Sequence, residues 1–356
     1  MPNFYGLSRA LFFSMDAEKA HKLGLESLKV LSSIGLTRFL FASTKNKTSL
    51  QNTSRKVFGL TFPNVVGCAA GLDKNGEYIT ALSQTGFGFV EIGTITPRPQ
   101  PGNPKPRLFR LPEAEGIINR MGFNNKGVDY LVEQVKQQIG SSSKNFILGI
   151  NIGKNFDTPV ENALEDYLIC LEKVYDQADY ITINISSPNT PGLRKLQFGD
   201  ELFDLLNGLK KRQLELENEK KRSVPLLVKI APDVNDEEIG LIAQTILKTK
   251  IDGVIATNTT LSRAGVENLQ HADQAGGLSG KPLKEQATHV VNVLVKALKN
   301  DEKHIPVIAA GGILSAQDAE EKLAAGASLV QIYSGFIYKG PQLISDCAAI
   351  PNNLND

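Results

Sequence analysis

The sequence predicts an α/β fold: a single (β/α)8 TIM barrel with a small helical extension at its N-terminus. Eight short runs rich in β-branched and apolar residues recur along the chain, and segments long enough for a helix separate them. Runs that are apolar on both faces indicate parallel strands, and eight such βα units can close into a barrel. An open, doubly wound sheet is the competing architecture. The runs span residues 65–72, 89–96, 147–152, 180–186, 226–231, 253–258, 307–312 and 329–334.

The length of the chain, 356 residues, fits one barrel with insertions, because such a barrel needs roughly 250 residues. A second full-sized domain is therefore not expected. The polar stretch 43–54 reads as a linker. We place the domain boundary there, so that residues 1–45 form an N-terminal helical segment and residues 46–356 form the barrel.

The N-terminal segment has the pattern of an amphipathic helix. Asp16 is a suitable N-cap for it, and a second short apolar run at residues 39–41 follows a break at Gly35. Taken alone, the segment is best interpreted as a cap that covers the barrel core. The apolar positions of the main helix include Ala20, Leu23, Leu28, Leu31 and Ile34.

Charge and cysteine content exclude several classes of protein. Lys plus Arg (39) nearly balance Asp plus Glu (38), so the chain lacks the positive field that holds a nucleic acid. Cys68, Cys170 and Cys347 are widely spaced, which fits neither a disulfide framework nor a metal site, and we expect each to be a small buried apolar residue. We predict no metal. The sequence contains no secretion signal and no uncharged apolar run of about 18 residues, so we expect neither export nor a spanning helix.

The stretch 97–125 is the longest departure from a minimal connection between strand and helix. It is too rich in Pro and Gly for a helix, and it contains two possible short strands at residues 107–111 and 116–119. It follows the second barrel strand at the end where barrel loops build active sites. We therefore expect it to pass over the mouth of the barrel.

Polar residues cluster directly after the predicted strands. In a barrel these positions converge on one face, where catalytic groups lie. Any single Asn or Thr among them is equally well explained as a cap of a turn or helix, but the whole set favours a site. The set comprises Lys74, Thr94, Asn151, Asn184, Ser187, Asn189, Lys229, Thr257, Asn258 and Thr259.

Glycines follow the last two predicted strands. Gly311 and Gly312 lead through Ser315 to Asp318 into a helix, and Tyr333-Ser334-Gly335 ends the eighth run. Glycine allows close approach of the backbone, and a helix N-terminus favours an anion, so this region predicts a phosphate site. The pattern does not say whether the phosphate belongs to a substrate or to a cofactor.

Lys229 lies inside an otherwise apolar strand, where an unpaired ammonium is costly to bury. It therefore needs an anionic partner. A flavin that becomes negatively charged on reduction would serve, and a Schiff-base lysine of the kind found in barrel aldolases is the alternative. The position alone leaves both open.

Long motifs carry a resemblance to a known family. The chain resembles the dihydroorotate dehydrogenases of the class that passes electrons to quinone, and the likeness covers nearly the whole chain in order. The motifs are AAGLDKNGE (69–77), EIGTITPRPQPGNPKPRLFRL (91–111), INRMGFNN (118–125), INIGKN (150–155), INISSPNTPGLR (183–194), ATNTT (256–260), GGLSGKPL (276–283) and ASLVQIYSGFIYKGP (327–341).

The resemblance implies FMN as cofactor and dihydroorotate as substrate. Asn amides suit a pyrimidine edge with alternating C=O and N–H groups, and Lys74 suits the substrate carboxylate. The residues implied for FMN are Ala70, Gly71, Leu72, Asp73, Lys74, Thr94, Asn151, Asn184, Lys229, Thr257, Gly280, Gly312, Tyr333 and Ser334. Those implied for dihydroorotate are Lys74, Asn119, Arg120, Met121, Gly122, Phe123, Asn184, Asn189, Asn258 and Thr259.

Ser187 matches the catalytic base of the family. It would take the proton from C5 of the substrate while hydride leaves C6 for the flavin, which gives orotate. A serine hydroxyl is a poor base on its own, so we expect Thr190 and an ordered water to pass the proton onward. Related enzymes that reduce fumarate or NAD use cysteine as the base, and no cysteine lies in this loop.

Combined with the barrel motifs, the N-terminal segment predicts more than a cap. The resemblance implies that its helices form an apolar slot that admits a membrane quinone to the flavin and rests on the bilayer surface. His21, Arg110 and Tyr333 match positions near the quinone head group.

The sequence thus predicts oxidation of dihydroorotate in pyrimidine synthesis, by a monomer bound peripherally to the cytoplasmic side of a bacterial inner membrane. The rivals are a dihydroorotate dehydrogenase with another electron acceptor, a flavin-free aldolase or isomerase that uses Lys229, and a non-catalytic module on a membrane surface.

Overall fold

The computed structural model describes residues 4–37, 53–139, 146–299 and 304–351. Its strands are rich in Val, Ile and Phe, which pack well on a pleated surface. They are β1 (Arg55–Val57), β2 (Leu60–Phe62), β3 (Val66–Cys68), β4 (Phe89–Ile95), β5 (Leu108–Leu111), β6 (Gly116–Asn119), β7 (Ile147–Ile152), β8 (Tyr180–Asn184), β9 (Leu226–Ile230), β10 (Gly253–Ala256), β11 (Gly277–Gly280), β12 (Val307–Ala310) and β13 (Leu329–Ile332).

Eight of these strands form a closed parallel barrel in the order β3-β4-β7-β8-β9-β10-β12-β13. The barrel closes between the last and the first strand, where Val330 is paired with Val66 and Ile332 with Cys68. Each of the eight predicted runs contains one barrel strand. The predicted (β/α)8 barrel is therefore confirmed, and an open doubly wound sheet is excluded because the sheet has no edge.

Helices follow the barrel strands and bury their apolar sides on the outer wall. One begins at a capping box, in which the Asn235 side chain accepts from the N–H of Glu238 and the Glu238 side chain accepts from the N–H of Asn235. The helices are α1 (Phe4–Phe13), α2 (Ala17–Ser33), α3 (Ile79–Ser83), α4 (Val128–Ile139), α5 (Ala163–Val174), α6 (Gly199–Lys220), α7 (Asp236–Thr249), α8 (Lys284–Ala297), α9 (Ala316–Ala324), α10 (Ser334–Lys339) and α11 (Pro341–Ala348).

The stretch 97–125 leaves the barrel after β4, and both strands predicted in it are present as β5 and β6. They pair antiparallel, and β11 adds a third strand on the other side of β6. Phe109, Ile118 and Leu278 form part of a small apolar core beneath this sheet. The sequence did not reveal β11, because its residues Gly-Leu-Ser-Gly lack the alternation and the bulk of a typical strand.

The N-terminal helices α1 and α2 pack on the barrel. Asp16 caps α2 as predicted, since its side chain accepts from the N–H of Lys19. The apolar pattern of α2 divides between two faces: Leu25 and Leu28 are buried, whereas Leu23 and Ile34 are exposed. The run 39–41, most of the linker 43–54 and the boundary at 45/46 lie outside the described residues.

Among the described helices, none combines the length and the apolar character needed to cross a membrane.

Candidate active site

A cavity opens at the carboxyl ends of the barrel strands. It is open to solvent at its mouth, and residues from the ends of most barrel strands form its wall. Most residues predicted for the site lie in its wall, so the structure brings them together. They are Ala70, Gly71, Lys74, Thr94, Asn119, Met121, Gly122, Phe123, Asn184, Ser187, Asn189, Lys229, Thr257, Asn258, Thr259, Gly280, Gly312, Tyr333 and Ser334.

Leu72, Asp73, Asn151 and Arg120, also predicted for the site, lie outside this wall. Asn151 is fully buried beneath it. The guanidinium of Arg120 donates to Gln274 and stacks over the ring of Phe109, so the Arg120 side chain is engaged outside the cavity wall.

Asp73 has a structural part in the loop that follows β3. Its carboxylate accepts from the backbone N–H groups of Glu77 and Tyr78, at 3.0 and 2.8 Å. Burial raises the pKa of Asp73 to about 6, against these hydrogen bonds, which act in the opposite direction. The carboxylate thereby fixes the loop that carries Gly71 and Lys74.

Several residues of the wall were not predicted from the sequence. Ser279 comes from the unpredicted strand β11, and its hydroxyl lies 2.8 Å from that of Ser334. Gln331 projects from β13, and its Oε1 is buried without a hydrogen-bond partner among the described residues. A polar residue inside an apolar strand was the signal for Gln331, and it is the same signal that singled out Lys229.

Lys229 lies in the wall with 5% of its surface exposed. Within the described part of the chain it forms no hydrogen bond or ion pair. Burial lowers the pKa of Lys229, while the nearby Glu91 acts in the opposite direction. An ammonium group in this position favours an anionic ligand in the cavity.

The glycine turns occupy the predicted place, but the helix beside them differs from the prediction. Gly311, Gly312 and Ser334 line the cavity, and the helix that starts there is α10. The predicted helix after Ser315 exists as α9, yet its N-terminus is already capped: Ser315 accepts from the N–H of Asp318. The residues of α9 are absent from the cavity wall.

Gly71 leaves room on the wall that a side chain would fill. Its φ of +99° is strained for any other residue, and a Cβ there would meet only the ring of Tyr333, at 3.5 Å. A planar ligand can therefore approach this backbone closely.

Ser187 follows β8 in a buried loop. Its Oγ accepts from the N–H of Asn189 at 3.2 Å, and the Asn189 amide donates to the carbonyl of Asn119 at 3.1 Å. Thr190 is 4% exposed, and its hydroxyl has no partner among the described residues. The loop thus presents one buried hydroxyl to the cavity and keeps a second one unpaired nearby.

The segment from Asn119 to Phe123 offers donors rather than acceptors. The carbonyls of Arg120 and Met121 accept from Asn103, and that of Gly122 accepts from Gln100. No described residue accepts from the N–H groups of Met121 and Gly122. Free N–H groups with occupied carbonyls suit a carboxylate ligand.

Gly102 makes this arrangement possible. A Cβ on Gly102 would lie 2.2 Å from the carbonyl oxygen of Met121, which is closer than any real contact. The residue also has a φ of +72°. Only glycine lets the loop that contains Asn103 approach the segment.

Lys74 lies beside the same segment, and its Nζ donates to the Gly71 carbonyl at 2.8 Å. Burial lowers the pKa of Lys74 to about 8, and the charge of Arg107 adds to the effect. An anion bound in the cavity would relieve this cost, because an opposite charge favours the ammonium form.

The N-terminal helices contact segments that adjoin the cavity wall. His21 on α2 contacts the carbonyl of Leu72 at 3.0 Å, and burial, together with the charge of Lys74, lowers the pKa of His21 to about 4. The guanidinium of Arg110 donates to the carbonyls of Phe12 and Met15 at the end of α1.

Tyr333 connects the cavity to α1. It lines the cavity and also packs in a small apolar cluster with Phe13 and Tyr338. The rings of Phe13 and Tyr338 meet edge to face, with 5.3 Å between their centroids. Apolar contact is therefore continuous from the cavity to the N-terminal helices.

The cysteines are free and buried, as predicted. Burial raises the pKa of the Cys170 thiol well above its usual value, and Cys170 lies on α5, away from the loop of Ser187. Among the described residues, no group of three or more His, Cys, Asp or Glu side chains is placed to hold a metal ion.

The closed barrel and this cavity define the class of the protein: a (β/α)8 barrel with a polar cavity, suited to an anionic ligand, at the carboxyl ends of its strands. The family model for dihydroorotate dehydrogenase matches residues 52–354. Proteins called dihydroorotate dehydrogenase (quinone) are similar over the whole chain: one from Ectopseudomonas mendocina (strain ymp) is 58% identical, over 96% of this chain and 97% of the relative. One from Pseudomonas aeruginosa (strain UCBPP-PA14) is 57% identical, over 98% and 99%.

A solved structure gives the same result. The crystal structure of DHODH from Eimeria tenella in complex with ferulenol is 37% identical, with a TM-score of 0.82 over 93% of this chain and 89% of that one. The chain belongs to the dihydroorotate dehydrogenase family, which depends on a flavin, and its similarity to the quinone-using members, predicted from the motifs, is confirmed.

Proposed function

We propose that this protein oxidises dihydroorotate to orotate in pyrimidine synthesis, with FMN in the barrel cavity and a membrane quinone as electron acceptor. One observation carries the proposal: a single cavity combines the buried hydroxyl of Ser187, the unpaired ammonium of Lys229 and the glycine turns that end in Ser334. The relatives that match the whole chain carry the name of this activity.

FMN fits the residues that are present. Gly312 and Ser334 would receive its phosphate, and Gly71 would let the ring lie against the backbone. Lys229 would supply a positive charge where a reduced ring system gains negative charge. Bound there, the flavin supplies a two-electron acceptor for the substrate and a donor for the quinone.

Dihydroorotate fits the remaining wall. Its carboxylate would bind Lys74 and the free N–H groups of Met121 and Gly122. The amides of Asn184, Asn189 and Asn258 each offer a donor and an acceptor to the edge of the pyrimidine. This assignment places the ring beside the loop of Ser187.

Ser187 would remove the proton from C5 of the substrate. Its Oγ accepts from the N–H of Asn189, and that hydrogen bond holds the oxygen in place without occupying the hydroxyl proton. The proton would pass by way of Thr190 and an ordered water toward solvent; the Thr190 hydroxyl has no partner among the described residues. The buried position of both groups excludes bulk water from the transfer.

The N-terminal segment would admit the quinone. Tyr333, Phe13 and Tyr338 form an apolar connection between α1 and the cavity, and His21 and Arg110 are the polar groups beside it. We propose that residues 1–45 form this access unit, that residues 46–356 form the catalytic barrel, and that a monomer rests on the cytoplasmic face of a bacterial inner membrane.

The test begins with the purified full-length protein under anaerobic conditions. We expect a yellow protein that releases FMN on heat denaturation, identified by its mass, and whose flavin absorbance near 450 nm, a property of oxidised flavins in general, bleaches on addition of dihydroorotate. A protein that binds FMN but keeps its absorbance with dihydroorotate would contradict the substrate. A protein that binds no FMN when it is supplied would favour an aldolase in which Lys229 is the reactive amine.

A further inference from the structure

A carboxylate lies completely buried beneath the cavity, and the mechanism above does not use it. Glu91 projects from the middle of β4 and is 0% exposed. Four side chains donate to it: Asn151 at 2.8 Å, Gln331 at 2.8 Å, Tyr180 at 2.9 Å and Thr182 at 3.2 Å. Each of its oxygens is therefore an acceptor, as suits an ionised carboxylate.

We propose that Glu91 is a positioning residue that sets the donor and acceptor direction of the amides that read the substrate. It would do so through a chain of hydrogen bonds from Asn151 to Asn184 and Asn258. The identity of the ligand as a pyrimidine rests on the proposed function; the direction of the chain rests on the geometry alone.

The first link is the amide of Asn151. Because Glu91 only accepts, Asn151 turns its NH2 group toward the carboxylate and its Oδ1 the other way. That oxygen accepts from the hydroxyl of Thr94 at 2.6 Å and from the amide NH2 of Asn184 at 3.0 Å. The orientation of Asn184 thus depends in part on that of Asn151.

The next hydrogen bonds connect Asn184 through Ser186 to Asn258, on the side of the cavity predicted to bind the substrate. The Oδ1 of Asn184 accepts from the backbone N–H of Ser186 at 3.2 Å and from its hydroxyl at 3.0 Å. Since the hydroxyl of Ser186 donates to Asn184, its oxygen is free to accept, and the NH2 of Asn258 donates to it at 2.9 Å. Asn258 and Asn184 both line the cavity.

The direction matters because an amide has two different sides. A reversed Asn184 or Asn258 would present an acceptor to an acceptor of the ligand, or a donor to a donor, and a buried polar group would lose its partner. The other side chains of the chain can both donate and accept, so the acceptor-only Glu91 decides the direction of the Asn151 amide. The backbone N–H groups of Ser186 and Thr259, which only donate, hold the Oδ1 atoms of Asn184 and Asn258 in the direction that matches it.

Replacement of Glu91 by Gln should turn the Asn151 amide over and bring its NH2 group into conflict with the NH2 of Asn184, which the Ser186 N–H holds in its present direction. Gln has about the same size, but it has only one acceptor oxygen. Tyr180, Thr182 and Gln331 all donate to the Oε2 of Glu91, so the oxygen of Gln would be favoured at that position. Its NH2 would then face Asn151, whose amide must turn over to accept from it.

The matched control is Tyr180→Phe. Tyr180 donates to the same carboxylate at 2.9 Å, nearly the distance of the Asn151 contact, but it does not belong to the amide chain. A purely structural role of Glu91 predicts similar behaviour of both variants. A role in setting direction predicts that only Glu91→Gln affects the ligand.

The experiment titrates the FMN-loaded wild type, Glu91→Gln and Tyr180→Phe with orotate and follows the flavin absorbance spectrum. Bound FMN and the melting temperature are measured on the same samples. We expect Glu91→Gln to bind orotate about tenfold or more weakly, while it retains FMN, and Tyr180→Phe to remain within about threefold of the wild type.

Equal orotate affinity of Glu91→Gln and the wild type would overturn the inference, and so would an equal loss in both variants. If Glu91→Gln does not fold, Ser186→Ala decides, because it breaks the chain one link before Asn258 and leaves Glu91 intact. Ser186→Ala should weaken the binding of orotate by a similar factor. Wild-type affinity for orotate in this variant would refute the proposed role of the hydrogen-bond chain. A wild-type protein that does not bind orotate at all would refute the proposed function instead.

Discussion

The barrel cavity and the N-terminal helices present opposite kinds of surface. In and beneath the cavity, polar side chains are buried, and most of them form hydrogen bonds with each other. The chain of hydrogen bonds that runs from Glu91 to Asn258 is an example. The N-terminal segment exposes apolar side chains: of the ten exposed large apolar residues in the described chain, three lie on α1 and α2 and two lie directly after α2. These five are Leu11, Leu23, Val30, Ile34 and Leu36.

This difference separates two tasks. A buried polar network holds a small polar ligand in one orientation, because every misplaced group loses a hydrogen bond. Exposed apolar side chains gain free energy only when another apolar phase covers them. The difference therefore supports the proposal that substrate chemistry belongs to the cavity and that the helices contact the membrane and its quinone.

The largest expected effect is that of Ser187→Ala in the cavity. Without the base, reduction of the flavin by dihydroorotate should slow by about 10²- to 10⁴-fold, while FMN remains bound. Rapid mixing of the anaerobic protein with dihydroorotate measures this rate. Cys170→Ala, on the buried face of α5, is the control and should leave the rate unchanged; a fast Ser187→Ala or a slow Cys170→Ala would reverse the assignment of the base.

The second effect concerns the helices. Replacing Leu11, Val30 and Ile34 together by Gln should weaken binding to phospholipid vesicles roughly ten- to a hundredfold, because apolar area that the membrane would cover is lost. Sedimentation with vesicles measures the binding. The same replacement of Ile169, Leu214 and Leu241, which are similarly exposed on α5, α6 and α7, should have no effect. Equal losses in both triple variants would mean that the N-terminal helices are not the membrane face.

A third prediction tests the charge of Lys229. Lys229→Met should lower the reduction potential of the bound flavin by on the order of 30 mV, which corresponds to a tenfold change in a two-electron equilibrium. The reason is that the reduced flavin loses a neighbouring cation. A titration against a redox dye measures the potential. An unchanged potential with FMN fully bound would show that Lys229 serves another ligand.

The smallest effect tests whether the two regions are independent. Glu18 on α2 pairs with Arg107 at 2.8 Å, and Arg107 also donates to the carbonyls of Pro101 and Asn103 beside the predicted substrate segment. Glu18→Gln should therefore raise the KM for dihydroorotate about threefold, a coupling below 1 kcal/mol.

The control for Glu18 is Glu172→Gln, which removes an exposed partner of Arg212 far from the cavity. It should leave the KM unchanged. A fall in melting temperature without a change in the KM of Glu18→Gln would limit α2 to a structural role.

Much of this molecule could be predicted from its sequence. The barrel strands were found because both of their faces are buried, which leaves uninterrupted apolar runs, and Asp16 was found because helix caps use few residue types. Strand β11 was missed because Gly277 and Gly280 lack the side chains that mark a strand. Periodicity showed that α2 is amphipathic, but only the structure shows which of its apolar residues the barrel covers.

The site residues, too, could be predicted from the sequence only in part. Position after a strand predicted which residues would meet, and most of them line the cavity. The burial of Asn151 beneath the wall and the four donors around Glu91 depend on side-chain contacts between strands that are distant in the sequence. A single Glu within the apolar run FVEIGTI was the available signal, and only the structure shows which groups it contacts.

The most direct test of the account follows the second half-reaction in the full-length protein. The flavin is first reduced under anaerobic conditions with a stoichiometric amount of dihydroorotate, and then a short-chain ubiquinone analogue, fumarate or NAD is added to separate samples. The account predicts that the quinone restores the oxidised flavin spectrum rapidly and that fumarate and NAD do not. Rapid reoxidation by fumarate or NAD, or none by the quinone, would contradict it.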